Sequence, residues 1–174
     1  MKVLVITPNY PSKNNPVEGV FLRRIYRELK DQIEIEVVLL KPSMKLPKID
    51  SHYSFDKIKI HKVNYFRPRG RLLNSLDGIF ALSAWSVIKK LVNGQKIIHA
   101  HWQTISGPVG LLISLKYKIP LIVSVRGARI FSKAQYSIYG FVSRHIFNCS
   151  QKIHTHGKNI ADILKSKYNI SSDE

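Results

Sequence analysis

Three short stretches carry residue types and spacings that can do chemistry. The first is ITPNYPSKNNPVEGVFLRRI, Ile6 to Ile25, where an apolar strand runs into a polar turn with Pro8, Pro11 and Pro16. The turn ends at Glu18-Gly19 and a helix pattern begins at once. A helix N-terminus attracts anions through its free N–H groups, and Gly19, having no Cβ, lets a phosphate approach the backbone closely. A glycine that merely serves the turn is an equal reading. The second stretch is HAHWQTISGPVG, residues 99 to 110. His99 and His101 are two apart on a strand, so they face the same side. His154 and His156 repeat the spacing. A metal pair is one reading, but no acidic ligand clusters near either pair. Packed or hydrogen-bonded imidazoles fit better, and no metal is expected. His101 lies at the strand end, nearer any ligand. Trp102 reads as a packing residue or as the wall of a sugar-sized pocket. The third stretch is VSVRGARIF, residues 123 to 131. Arg126 follows a buried strand and precedes Gly127, so its guanidinium is placed to clamp a phosphate or bond sugar hydroxyls. Arg129 reads as solvent-facing.

Other chemistries find no support. There is no G-x-S-x-G, no Walker loop and no G-x-G-x-x-G after the first strand, which disfavours serine hydrolysis, phosphate-loop nucleotide hydrolysis and ordinary nicotinamide binding. Glu28 and Glu36 are eight apart but straddle a helix and a strand, so they share no face.

These stretches need elements to hold them. Lys2 to Thr7 reads as a fully buried strand and Gly19 to Asp31 as an amphipathic helix with Phe21, Leu22, Ile25 and Leu29 on one face. Ile33 to Leu40 is the next strand, Lys41 to Phe55 reads as loop because of Pro42 and Pro47, and 57 to 66 alternates like a half-exposed strand. Arg71 to Val92 reads as one long helical stretch. Strands at 96–101, 120–125 and 152–156 are each followed by helical stretches, Ser106 to Tyr117, Phe131 to Phe147 and Lys158 to Tyr168. Alternating strands and helices predict an α/β, Rossmann-like, doubly wound and mostly parallel sheet with helices on both faces. Ligands bind such sheets beyond the carboxyl ends of the strands, which singles out the exits after Ile6, Ala100 and Val125.

Composition bounds the partners. A chain of 174 residues that is 44% hydrophobic has enough material for one domain with a core. Cys149 is the single cysteine, so no internal disulfide forms. MKVLVITP is too short an apolar start for a signal peptide, and a cytoplasmic location is expected. The net charge of +17 calls for anionic partners. No nucleic-acid motif accompanies it, so nucleic acid is not an expected partner. Arg67, Arg69 and Arg71 form the tightest basic cluster and lead into an apolar helical stretch. This predicts peripheral attachment to an anionic membrane face.

The ordered set ITPNYPSKNNPVEGVF, IIHAHWQTISGPVG, PLIVSVRGARI and KIHTHGKNIADILKSKYNI resembles the N-terminal domain of glycosyltransferase family 4, of the GT-B fold, over nearly the whole chain. The resemblance implies transfer of a sugar from a nucleotide-sugar donor, with retention, to a glycan or lipid-linked acceptor in cell-envelope or surface-polysaccharide synthesis. It implies no cofactor and no metal. It places Gly19 against the donor diphosphate, Arg126 and Gly127 against the donor phosphate or sugar, and Asn9, Tyr10, His101, Trp102 and Gln103 along the acceptor side of the cleft. Two departures stand out. Arg126 and Arg129 occupy the histidine and acidic positions of the family's H-G-x-D stretch, and His156 stands where a serine is usual. Nothing in the chain matches the family's second, nucleotide-binding domain with its E-x7-E motif. A lone N-terminal domain, from a truncated product or a split gene, is therefore expected to need a separate C-terminal partner. The alternative is a non-catalytic module that holds an anionic lipid or glycan at the membrane surface.

Overall fold

A computed structural model describes residues 1–70, 76–126 and 138–170. Its elements are β1 (Lys2–Thr7), α1 (Val20–Leu29), β2 (Glu34–Ser43), β3 (Lys48–Phe55) and β4 (Ile58–Phe66). They continue with α2 (Asp77–Ala81), α3 (Trp85–Ile88), β5 (Ile97–His101), α4 (Gly107–Tyr117), β6 (Leu121–Val125), α5 (Ile138–Cys149), β7 (Lys152–Thr155) and α6 (Lys158–Tyr168). Seven strands form one sheet in the order β3-β4-β2-β1-β5-β6-β7. Every neighbouring pair is parallel except the β3–β4 hairpin. The chain winds from β1 outward to β2 and then returns to β5 on β1's other side. The order therefore reverses between β1 and β5, where Ile6 lies beside Ala100. A crevice opens beyond the strands at such a reversal.

The sheet is buried on both faces, which is why its central strands are apolar without alternation. Leu4, Ile6, Val38, Ile98, Ala100 and Val123 pack beneath residues of α2 to α6 such as Ala81, Val109, Ile146 and Leu164. Val3, Val5, Ile35, Val37 and Leu39 turn the other way and pack against Tyr10 and against Leu22 and Tyr26 of α1. The buried positions of α1 are Leu22 and Tyr26, while Ile25 is 39% exposed. The helix is rotated from the stripe of Phe21, Leu22, Ile25 and Leu29 that the sequence predicts. Tyr26 accounts for the rotation, because its hydroxyl is engaged by two strand histidines.

Two expected elements differ. Residues 41–55 are not loop: β2 continues to Ser43, and β3 is an edge strand along β4. Pro42 is tolerated because β2 pairs with β1 only as far as Leu39, so at Pro42 it has one neighbour instead of two. β3 carries Asp50, Ser51, His52 and Ser54 on an edge, where charged and polar residues discourage pairing with other chains. The long helical stretch is broken. Its described part passes through α2, a 3₁₀ turn (Leu82–Ala84), α3 and a second 3₁₀ turn (Lys89–Leu91). The break lets Ser83 Oγ accept a bond from Phe66 N at 2.9 Å, tying the run to the exit of β4. No described helix is long and apolar enough to cross a membrane.

α2 also braces the exit of β5. Residues Trp102–Ser106 form a π-helical turn, and a Cβ added at Gly78 of α2 would lie 2.2 Å from Thr104 O. Gly78→Ala is expected to cost about 1–3 kcal/mol through overpacking, measured as a lowered urea midpoint with unchanged slope.

Candidate functional site

The crevice at the sheet reversal is built from the loop after β1 and from the exits of β5, β6 and β7. The loop begins in a threonine turn, with Thr7 Oγ1 donating to Asn9 O at 3.0 Å and accepting from Asn9 N at 3.3 Å. The Asn9 amide donates to Pro8 O at 3.0 Å and to Glu18 Oε1 at 2.9 Å, and Lys41 Nζ donates to the same carboxylate oxygen at 2.5 Å. Tyr53 Oη donates to Pro11 O at 3.2 Å. The loop is thus folded back on itself and pinned to the sheet. Gly19 closes it at φ 66°, with a notional Cβ only 2.7 Å from Asn9 O. The turn alone therefore demands glycine, for conformation and for space.

Phe21, at the start of α1, is the hub. The Arg126 guanidinium lies over its ring at 4.1 Å. Trp102 and His156 also pack on Phe21, with centroids at 5.9 and 6.5 Å. Four segments distant in sequence meet there. Trp102 takes φ 64°, a left-handed conformation that costs a bulky residue about 1–3 kcal/mol and is concentrated at functional sites. Arg126 Nε is buried without a partner among the described residues. Burial lowers the guanidinium to about 10, partly opposed by Tyr26, so it stays charged at neutral pH.

Beneath this rim runs a chain of polar groups on the α1 face of the sheet. Tyr26 Oη lies 2.6 Å from His101 Nε2 and 2.8 Å from His99 Nδ1. His99 Nε2 lies 2.8 Å from Ser124 Oγ, which lies 3.3 Å from His154 Nδ1. The strand register brings them together, since His101 pairs with Ser124 and Ser124 with His154. Burial pushes the Tyr26 hydroxyl well up and His101 well down from their ordinary values. Burial, with the charges of His154 and Arg126, pushes His99 down to about 4.

The expected site residues therefore separate into groups. Gly19, Trp102 and Arg126 meet around Phe21. His101 is 1% exposed and Gln103 is buried, so both lie under the rim. Tyr10 is fully buried in the core under α1. It does not line an open cleft, because its ring fills the space between α1 and the sheet. Asn9 holds the loop. Gly127, Arg129 and Arg71 fall outside the described residues. Arg67 Nε donates to Asp77 Oδ1 at 2.5 Å, and Arg69 is exposed at the end of β4. No group of three metal-ligating side chains occurs among the described residues. Sequence reasoning missed Phe21 as a hub, and Tyr26 and Ser124 altogether. Ser124 had a signal, as the lone polar residue inside PLIVSV.

The model of the Glycosyltransferase Family 4 family matches residues 19–174, and the chain belongs to that family. No curated protein sequence matches it. Among solved structures it resembles a UDP-GlcNAc 2-epimerase from Methanocaldococcus jannaschii, with a TM-score of 0.58 and 17% identity over 94% of this chain and 42% of that one. It also resembles a putative UDP-N-acetylglucosamine 2-epimerase from Listeria monocytogenes, with a TM-score of 0.57 and 14% identity over 94% of this chain and 41% of the other. A third is the S. aureus MnaA structure with UDP, with a TM-score of 0.51 and 14% identity over 97% and 42%. At these identities the likeness is one of fold. The chain spans less than half the length of each, and its sheet is one Rossmann-like half of a GT-B fold.

The depressed His99 makes stability depend on pH. Its folded value of about 4 lies below the ordinary 6.5, so between them the unfolded chain binds more protons. The contribution is full above about pH 6.5 and is lost as pH falls towards about 4, an effect of up to about 3 kcal/mol. Urea unfolding across that window should show a flatter pH dependence for His99→Gln than for the native sequence. Equal slopes would contradict the burial argument.

Proposed function

We propose that this chain is the acceptor-side half of a retaining glycosyltransferase. It would move a sugar from a nucleotide donor to a glycan or lipid-linked acceptor, in cell-envelope or surface-polysaccharide synthesis. Membership of the family supports this, as do the UDP and UDP-GlcNAc named for two of the structurally similar proteins. The single observation that carries it is Arg126: a charged guanidinium at the exit of β6, held on the Phe21 ring, with a buried and unpartnered Nε. Transfer builds negative charge on the leaving diphosphate, and a preorganised cation beside it lowers the barrier. Stacking on Phe21 fixes the guanidinium in place before the ligand arrives, so little is lost in ordering it.

Half a cleft does not suffice for turnover. Donor and acceptor must be held together, which supplies roughly 7–11 kcal/mol of barrier lowering. One open rim also leaves water beside the donor. A second, nucleotide-binding domain is the natural complement. The purified chain should bind nucleotide sugars weakly and release no nucleoside diphosphate on its own. Calorimetry over a panel of nucleotide sugars is the check. Arg126→Ala should weaken the best ligand about tenfold or more, in line with losing one charge-assisted contact. Undiminished binding by Arg126→Ala, or sustained turnover by the single chain, would contradict this reading.

The net charge of +17 supports attachment to an anionic membrane surface. With Arg67 engaged by Asp77, Arg69 and the dispersed lysines carry that role, each worth about 1 kcal/mol near the surface. Flotation at low salt should recover the protein with anionic liposomes and not with neutral ones. Equal recovery would exclude the electrostatic mechanism.

A further inference from the structure

We propose that the turn between β2 and β3, residues 44–47, enters the interface of an anionic lipid bilayer together with Phe66. The inference rests on the membrane attachment proposed above and names its contact. Met44 and Leu46 are 54% and 81% exposed, and Phe66, which pairs with Ser43, is 37% exposed. Isolated exposed apolar residues are ordinary on a protein surface. Here three of them gather at one corner, on and beside a turn, where polar residues are the rule. None of the three belongs to the core, whereas Ile49 of the same run packs against it.

The corner projects and is held. β2 pairs with β1 only as far as Leu39 but continues beside β4 to Ser43. Four further residues at about 3.3 Å each carry the turn roughly 13 Å past the end of β1. Ser43 fixes the turn from two sides: Lys45 N donates to Ser43 Oγ at 3.1 Å, and Arg67 N donates to Ser43 O at 2.8 Å. Pro47 restricts the backbone further. A turn fixed in this way loses little freedom on insertion. It stands at the carboxyl end of the strands, the end at which the crevice opens. A chain resting on this corner therefore turns its crevice towards the side from which a lipid-linked acceptor comes.

Charge selects the partner. Lys45 and Lys48 flank Leu46 and are exposed, and exposed Arg69 follows three residues after Phe66. Residues 41–49 hold three lysines and no acid, and the next residue, Asp50, is bonded to Lys62 at 2.8 Å. Protein–protein contacts are depleted in lysine, which speaks against a second domain or a second copy as the occupant. Lysines around apolar side chains suit a bilayer interface. Their aliphatic stems lie along the apolar layer while the ammonium groups reach anionic headgroups. Apolar insertion and electrostatic attraction add in such a contact.

The double substitution Met44→Ser/Leu46→Ser separates insertion from charge, because it leaves the net charge unchanged. Both positions are exposed, so the fold should persist, checked by an unchanged urea midpoint. Flotation at low salt with vesicles of phosphatidylcholine and phosphatidylglycerol should show partitioning weakened about tenfold or more, as for loss of one buried side chain of leucine size. Lys45→Gln/Lys48→Gln should weaken it as well, by a factor that shrinks as salt is raised. Depth is read from a polarity-sensitive dye attached at Leu46→Cys in a Cys149→Ser background, which removes the exposed native thiol. Its emission should move to the blue with the anionic vesicles and be quenched by lipids brominated near the headgroup. The same dye at Gln32→Cys, just before β2 at the amino-terminal end of the sheet, should not respond. Native-like partitioning of the double serine variant, or a dye at position 46 that stays in water on bound vesicles, would overturn the insertion while leaving attachment through charge intact. A blue shift that grows with protein concentration without vesicles would assign the corner to a second copy of this chain and overturn the proposal. A native chain that fails to float at low salt would overturn the attachment itself and the insertion with it.

Discussion

The rim of this molecule depends on one contact, the Arg126 guanidinium on the face of Phe21. A guanidinium that is partly desolvated needs compensation, and an aromatic face supplies about 0.5–2 kcal/mol of it while leaving N–H groups free. Phe21 occupies that position because Gly19 turns the chain sharply into α1, and α1 holds its register through Leu22 and Tyr26. The same ring receives Trp102 and His156. Loop, helix and three strand exits are therefore coupled through one side chain, which makes the rim cooperative rather than a set of independent loops.

The layer below answers a different constraint. Placing polar side chains between a helix and a sheet is costly unless they are hydrogen-bonded. Here the strand register lines up His99, His101, Ser124 and His154, and one tyrosine of α1 joins the two inner histidines. The network fixes the rotation of α1, displacing Ile25 towards solvent. It has no carboxylate among its links, so burial is free to hold the His99 and His101 rings neutral. Ion pairing sits elsewhere: Arg23 with Asp56 at the β-hairpin turn and Lys41 with Glu18 at the loop.

Much of this was legible in the sequence, and the reason is the parallel sheet. Strands buried on both faces read as apolar runs, and β1, β5 and β6 stand out for that reason. α6 coincides with its predicted span because Gly157 and Asn169 bound a clear amphipathic period. The reversal between β1 and β5 then made the exits after Ile6, Ala100 and Val125 the places to look. β3 was not legible, since a polar edge strand carries no hydrophobic period and Pro42 and Pro47 resemble loop punctuation. The broken run from α2 to α3 was not legible either, because its interruptions arise from contacts with β4 and the π-helical turn and not from local breakers. Tyr26 and Ser124 take their meaning from neighbours 73 to 75 and 25 to 30 residues away, a spacing that no local pattern encodes. Tyr10 read as a cleft residue from its place in the loop, yet the loop folds it inward.

We propose that an anionic nucleotide ligand meets this chain at the rim around Phe21. Backbone amide spectra recorded while a nucleotide sugar is titrated into the labelled protein test it most directly. The shifts should concentrate at Gly19, Phe21, Trp102 and Arg126, with the β3 edge and the amino-terminal ends of the strands unmoved. Shifts that cluster at the opposite, amino-terminal end of the strands, or that spread evenly over the basic surface, would contradict it.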